Sequence, residues 1–222
     1  MFVIKNSKPV ELNDNVRFRC KRCAECCRHV EGSVILEPLD AYNLAKHLNM
    51  NICDVYERYA DVFILSEDVF YPIFALKTTG DKKACIFLKG NRCSVQEAKP
   101  RTCRMYPFWI EPDEGGLKYN LSSERSHHPK GSLIKVKDWV RKNLKDEEKE
   151  VLESDIKTIQ ELALLIKSAQ NVGISNDEIL KLVLLYRYYG FETERPFLSQ
   201  KKTFDKLLLN NLKNMIIKRK EE

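Results

Sequence analysis

The hydrophobic positions of the chain fall into two regimes. From about Val136 onward apolar residues recur at helical spacing, whereas before Gly131 they come in short runs broken by turn residues. The spacing predicts one or two amphipathic helices over residues 136–170. Ser175 and Glu178 form a capping-box pattern that opens another helix, and Pro196 ends that region. Phe204, Leu207, Leu208, Leu212, Met215 and Ile216 make the apolar stripe of a terminal helix. Upstream, Pro38 stands at a first-turn position ahead of a helix over LDAYNLAKHL. A second helix starts at Asn51, with Ile52, Val55, Tyr56, Tyr59 and Phe63 at helical spacing. Residues 69–79 read as a strand, placed at a sheet edge by Pro72. Two short runs around Cys85 and Cys93, joined by Lys89-Gly90-Asn91, read as a hairpin. A second hairpin joins MYPFWIE to LKYNL through Asp113-Glu114-Gly115-Gly116. The pattern is that of an α+β protein. A small, irregular, cysteine-rich domain with short hairpins and two helices spans residues 1–131, and a helical extension spans residues 132–222.

Composition narrows the chemistry. A chain of 222 residues with 43% apolar and 32% charged side chains can build a sizeable core and does not need crosslinks to stay closed. The N-terminus lacks a basic start followed by an apolar run, and no apolar stretch approaches bilayer length. The expectation is a cytoplasmic protein without a membrane segment. In a reducing compartment clustered cysteines point to metal ligation or redox chemistry and not to a disulfide framework. The net charge of +6 comes from lysines interleaved with glutamates, a pattern of solvated helical faces that argues against a nucleic-acid partner. The helical C-terminal region is the candidate surface for a protein partner.

The cysteines carry the strongest signal. Cys20, Cys23, Cys26 and Cys27 fall within eight residues. A C-x-x-C step lets two thiolates turn toward one ion, and two steps in series give the spacing that begins ferredoxin-type iron–sulfur runs. Cys26 and Cys27 are adjacent, and neighbouring side chains of extended backbone point apart, a pointer to two metal sites. Cys85, Cys93 and Cys103 form a second set. Arg101 and Arg104 flank Cys103, where they either offset the charge of a thiolate centre or make ordinary surface ion pairs. Cys53 stands alone inside the second predicted helix and reads as a packed core residue. His127 and His128 precede Pro129 in a loop; an imidazole ligand and an exposed pair are both open readings. The acidic pairs of the helices read as solvated faces.

The runs CKRCAECC, CIFLKGNRCSV and KPRTCRMYPFW, in this order, resemble the YkgJ-type cysteine-cluster proteins, a family of zinc- or iron-chelating domains. The resemblance covers roughly residues 17–131. It departs from the family pattern in having Lys99-Pro100-Arg101 for Arg-Pro, and His127-His128-Pro129-Lys130-Gly131 where many members carry Cys-Pro-Gly. The resemblance therefore implies His128 as the replacement of a cysteine ligand. Seven cysteines, Cys20, Cys23, Cys26, Cys27, Cys85, Cys93 and Cys103, with His128 would make two four-ligand centres. A more distant similarity is to the flagellin lysine-N-methylase.

The C-x-x-C-x-x-C run favours an iron–sulfur cluster of the 4Fe–4S type, while a histidine ligand and dispersed pairs favour zinc. No Walker-type loop and no G-x-G-x-x-G follows a strand, and eight glycines leave little room for phosphate-cradling loops. Three function classes follow: a metal-cluster protein serving electron transfer, metal handling or a protein-modification system; a protein lysine methylation enzyme or its partner; and a nucleic-acid-binding module with structural zinc.

Overall fold

The computed structural model describes residues 7–65, 70–113, 116–122 and 131–221. The protein is α+β: seven α-helices and small antiparallel sheets among the described residues. The N-terminal segment supplies two short strands, β1 (Ser7–Val10) and β2 (Asn15–Arg17), and then the irregular cysteine loop. Helix α1 (Pro38–Leu48) opens on Pro38, whose fixed φ suits the first turn, and closes on Asn49 in a left-handed conformation. Helix α2 (Ile52–Tyr59) follows and buries Ile52, Val55 and Tyr56.

Here the sequence expectation needs correcting. The helical stripe does not reach Phe63. Ala60 turns extended, and Ala60–Ile64 form strand β3, which pairs antiparallel with β4 (Pro72–Leu76). The run Asp-Val-Phe-Ile is rich in β-branched and aromatic residues, and cross-strand pairing outweighs continuation of the helix. Nor is β4 a simple edge. Its other side is bridged at Ala75 by Ile35 and bonded to Val34 and Leu36. Pro72 is tolerated because it stands at the first residue of the strand. Strand formation breaks at Lys77 and resumes in β5 (Thr78–Thr79), which pairs with β6 (Ala84–Cys85).

The hairpin at Lys89-Gly90-Asn91 forms between β7 (Leu88–Lys89) and β8 (Arg92–Cys93). A short helix, α3 (Arg101–Met105), carries Cys103. The larger hairpin is β9 (Phe108–Asp113) with β10 (Gly116–Ser122), and β1 adds to β10 to complete a three-stranded sheet. Strand β11 (Leu133–Lys135) returns to pair with β2. Helices α4 (Val136–Asn143), α5 (Asp146–Asn171) and α6 (Asn176–Val183) follow. A π-helical turn over Leu184–Tyr189 leads to α7 (Phe197–Glu221). The Ser175–Glu178 capping box is formed.

Two hydrophobic cores hold these elements. The larger joins Leu36, Leu44, Val55, Tyr56, Phe74 and Phe87 to Leu162, Ile166, Ile179, Val183, Leu208 and Leu212. The helices after Gly131 thus share their apolar face with the segment before it. The smaller core joins Val10, Val16, Met105, Phe108 and Leu121 to Val136, Val140 and Leu152. Each large apolar side chain buried this way contributes about 1.5–3 kcal/mol. Of the expected terminal stripe, Leu208, Leu212 and Ile216 are buried while Leu207 is 40% exposed. Helices α5 and α7 run parallel, tied by Lys202–Glu150 and Lys213–Glu161. Between them lies a nearly buried set of two cations and two anions, Arg187 and Lys201 with Asp155 and Asp205. These acidic residues are not the solvated faces their helical setting suggests, because each cation neutralises the desolvation cost of a carboxylate beside it.

Candidate metal centre

Four stretches of chain bring cysteines to one end of the larger core. The first is the loop from Cys20 to Cys27. Pairing of β2 with β11 delivers the chain to Phe18, whose N–H donates to the Ser132 carbonyl at 2.9 Å. Gly131 makes this approach possible. A Cβ there would lie 2.5 Å from the Phe18 carbonyl carbon, so only glycine fits. Beyond Cys20 the backbone takes left-handed conformations at Arg22, Ala24 and His29, with φ of 54°, 63° and 55°. Non-glycine residues pay roughly 1–2 kcal/mol each for this region. Three within eight residues mark a loop whose shape is imposed by its surroundings, as ligand clamps often are. A 3-10 turn over Glu25–Cys27 ends the loop.

Arg28 fixes that loop in place. Its guanidinium donates to the Cys23 carbonyl at 2.9 Å and to Asn91 Oδ1 at 2.6 Å, joining the cysteine loop to the turn of the β7–β8 hairpin. The second stretch, β6, holds Cys85 opposite Thr78, and the third, β8, holds Cys93 opposite Leu88. The fourth, α3, holds Cys103. Arg101 pairs with Glu37, and its backbone N–H donates to Asp40 Oδ1 at 2.8 Å. Arg104 donates to the Lys99 and Asn143 carbonyls and pairs with Glu148, which is 3% exposed. The two arginines therefore make neither surface pairs nor thiolate contacts. They are committed to carboxylates at the N-cap of α1 and on α5 and act as anchors for the helix that carries Cys103.

Positive charge reaches the sulfurs from Lys99 and Arg28 instead. Cys26 and Cys27 place their Sγ atoms 4.0 Å apart. Hydrogen bonding within the pair lowers the Cys27 thiol to about 6 against the cost of burial, helped by Lys99 and Arg28, and holds its neighbour Cys26 well above the ordinary thiol range. Burial raises Cys85, Cys93 and Cys103, with the lysine charge opposing it in each case. Nearby thiols add to the rise, Cys27 in all three. Such thiols stay protonated until a metal displaces the proton.

A cavity of about 380 Å³ opens beside the loop, and Cys20, Cys23, Cys26, Cys27 and Cys93 line it. Phe18 and Tyr106 form part of its wall, and Arg22, Arg92 and Lys99 supply its cations. Cys85 and Cys103 lie outside that lining. Among the described residues, no three Cys, His, Asp or Glu side chains converge on a point where one ion is held as they stand. The donor set is nonetheless of the right kind, soft thiols on a strained loop and three rigid supports, and rotation about χ1 is the one motion each sulfur has available. His127 and His128 lie outside the described residues. Cys53 sits on α2, packs against the larger core, and directs its Sγ to the Tyr189 carbonyl at 3.7 Å. Sequence reasoning missed the role of Arg28 and the cavity walls Phe18 and Tyr106. Asn91 was readable only as a turn residue, and its bond to Arg28 spans 63 positions.

The family model CxxCxxCC, described as a putative zinc- or iron-chelating domain, matches residues 19–143. The chain belongs to this family. The match takes in all seven clustered cysteines and runs past Gly131 through β11 to the end of α4. No curated protein and no solved structure matches the chain. Membership makes this a protein of the zinc- or iron-chelating class, and the CxxCxxCC signature is the strained loop at Cys20–Cys27. No helix among the described residues is long and apolar enough to cross a membrane.

Proposed function

We propose that this CxxCxxCC protein holds an iron–sulfur cluster of the 4Fe–4S type on its clustered cysteines and serves electron transfer, metal handling or a protein-modification system. The observation that supports this reading is the cavity. Its volume of about 380 Å³ falls in the range of small-ligand sites, roughly 300–1,000 Å³, and exceeds the room one zinc ion needs. The C-x-x-C-x-x-C run edges it, and cations stand where a thiolate-rich centre would place negative charge. A cluster bound there would supply one-electron chemistry. The chain's own residues set its surroundings. Cys20, Cys23 and Cys26 offer thiolates from the loop, Arg28 keeps that loop against the β7–β8 turn, and Lys99 offsets charge. Phe18 and Tyr106 limit the access of water from one side.

The test is anaerobic purification followed by iron, zinc and acid-labile sulfide analysis, with an absorption spectrum. Iron and sulfide in equal amounts, with broad sulfur-to-iron charge-transfer absorption, are expected. Stoichiometric zinc in a colourless, sulfide-free protein would overturn the iron–sulfur assignment and leave chelation by the family's cysteines in force.

A further inference from the structure

The positive charge of the chain is concentrated in two segments. Residues 19–31 hold four lysines and arginines against two glutamates, and residues 77–99 hold six against two acidic residues. Their combined excess equals the +6 of the whole chain, so the remaining residues balance. The fold brings the two segments together. His29 and Val30 donate their N–H groups to the Lys82 and Lys83 carbonyls at 2.8 and 3.1 Å, and Arg28 donates to Asn91. A cationic rim results around the mouth of the cysteine cavity. Arg22, Arg92 and Lys99 line the cavity itself. Arg19 and Lys21 flank Cys20 along the chain, and Lys89 stands opposite Arg92 in the β7–β8 pair. All but the half-buried Lys99 are exposed. The ion pairs of this face are Arg28–Glu25 and Lys83–Glu31, and none of the six rim cations has an ion-pair partner among the described residues. On the helices, by contrast, lysines meet carboxylates, as in Lys202–Glu150 and Lys213–Glu161. The expectation of self-balanced solvated faces therefore fails at the cysteine end.

We infer that this rim is a docking face for an acidic protein, whose carboxylates pair with the rim cations and bring the partner over the cysteine cavity. This rests on the proposed function only for what passes between the two proteins. Like charges gathered around a concave opening repel one another and focus a positive field outward, which draws in and orients a negatively charged partner. Two observations favour a protein over a nucleic acid. Glu25 and Glu31 stand among the cations with side chains 50% and 62% exposed. A phosphate backbone meets repulsion from them, whereas a protein surface carrying both signs can match them. The cations also sit on a loop and a hairpin around one opening, not along the groove that a phosphate backbone follows. Half-buried Leu88 and Tyr106 line the opening inside the rim, the arrangement of apolar centre and polar border found in protein interfaces.

The experiment uses poly-L-glutamate as the probe, with a single-stranded oligonucleotide of equal charge as its rival, and the full chain. Poly-L-glutamate is expected to bind at low salt and to weaken as ionic strength rises to about 0.15 M. Binding should fall about tenfold in Lys21→Gln/Lys89→Gln/Arg92→Gln, which removes three exposed pairs. All three positions are exposed, so the variant keeps the fold, and its far-ultraviolet spectrum checks this. Lys206→Gln/Lys218→Gln/Lys220→Gln removes the same charge from α7 and should bind like the parent. Zero-length carbodiimide coupling followed by mass mapping should join the probe to Lys21 and Lys89 and spare the lysines of α7. Absence of binding, equal weakening in the two triple variants, or tighter rim-dependent binding of the oligonucleotide would overturn the inference. Iron and sulfide are measured separately on the same samples. A chain without them that still binds through the rim fails the cluster assignment alone, and a cluster-loaded chain indifferent to the rim variant fails the docking face alone.

Discussion

Replacing Arg104 by methionine should cost more than any other single change near the centre that spares the cysteines. The guanidinium satisfies two backbone carbonyls, Lys99 and Asn143, and pairs with Glu148, a carboxylate 3% exposed. Methionine keeps the length of the stem and removes all three interactions. Breaking one side of a buried ion pair costs about 3–5 kcal/mol, chiefly because the remaining charge stays desolvated. That is a large part of the roughly 5–15 kcal/mol that stabilises a typical domain. Glu148 keeps one hydrogen bond, from the Lys145 N–H at 2.8 Å in the cap of α5, so the lower half of the range applies, about 3 kcal/mol. Removing the partner as well, in Arg104→Met/Glu148→Leu, should recover most of the loss, leaving about 1 kcal/mol for the forfeited cap. Urea unfolding at matched metal content measures both variants, and metal analysis reports whether Cys103 is still in place. A single variant costing under about 1 kcal/mol, or a double variant less stable than the single, would refute the claim that this pair anchors α3.

Three further outcomes are expected. Gly131→Ala forces a Cβ to 2.5 Å from the Phe18 backbone, so it should destabilise by about 1–3 kcal/mol through overpacking; a melting temperature equal to the parent's would show that this approach is not tight. Burial, then the Glu37 carboxylate, push Asp40 up to about 7 against the pull of Arg101. The folded chain then binds a proton that the unfolded chain has released, so this contribution to stability falls as pH rises from about 4 to about 7. Asp40→Asn should flatten that part of the urea-midpoint profile, and a parallel profile would contradict the assignment. Cys53→Ala should keep its metal while Cys23→Ala loses it, because Cys53 packs against the larger core with its Sγ directed to the Tyr189 carbonyl; equal metal loss in the two would undo the division of the cysteines.

Features set by neighbouring residues were legible in the sequence. Pro38 started α1, Ser175 and Glu178 capped α6, and Asp113 to Gly116 marked the turn of the β9–β10 hairpin. What failed depended on distant partners. Phe63 matched a helical stripe, yet pairing with β4 drew it into a strand. Arg101 and Arg104 find their carboxylates 64 and 44 residues away, and no local pattern announces such a choice. The same holds for Asp155, whose surroundings come from α7 and the π-helical turn. At the site, the thiol cluster and its family were readable because cysteine spacing is a local property. The cavity was not, since it follows from where the β7–β8 hairpin packs.

The pairing of β2 with β11 bears on how the protein is made. Residues 20–27 leave the ribosome well before the strand that seats them, Leu133–Lys135, which comes roughly 110 residues later. At about 5–20 residues per second, four thiols wait some 5–20 seconds for their partners, with Arg28 lacking Asn91 for much of that time. During synthesis the stretch of the chain densest in thiols is therefore also its least supported, and exposure to an oxidant is a hazard of biosynthesis that the finished fold reduces.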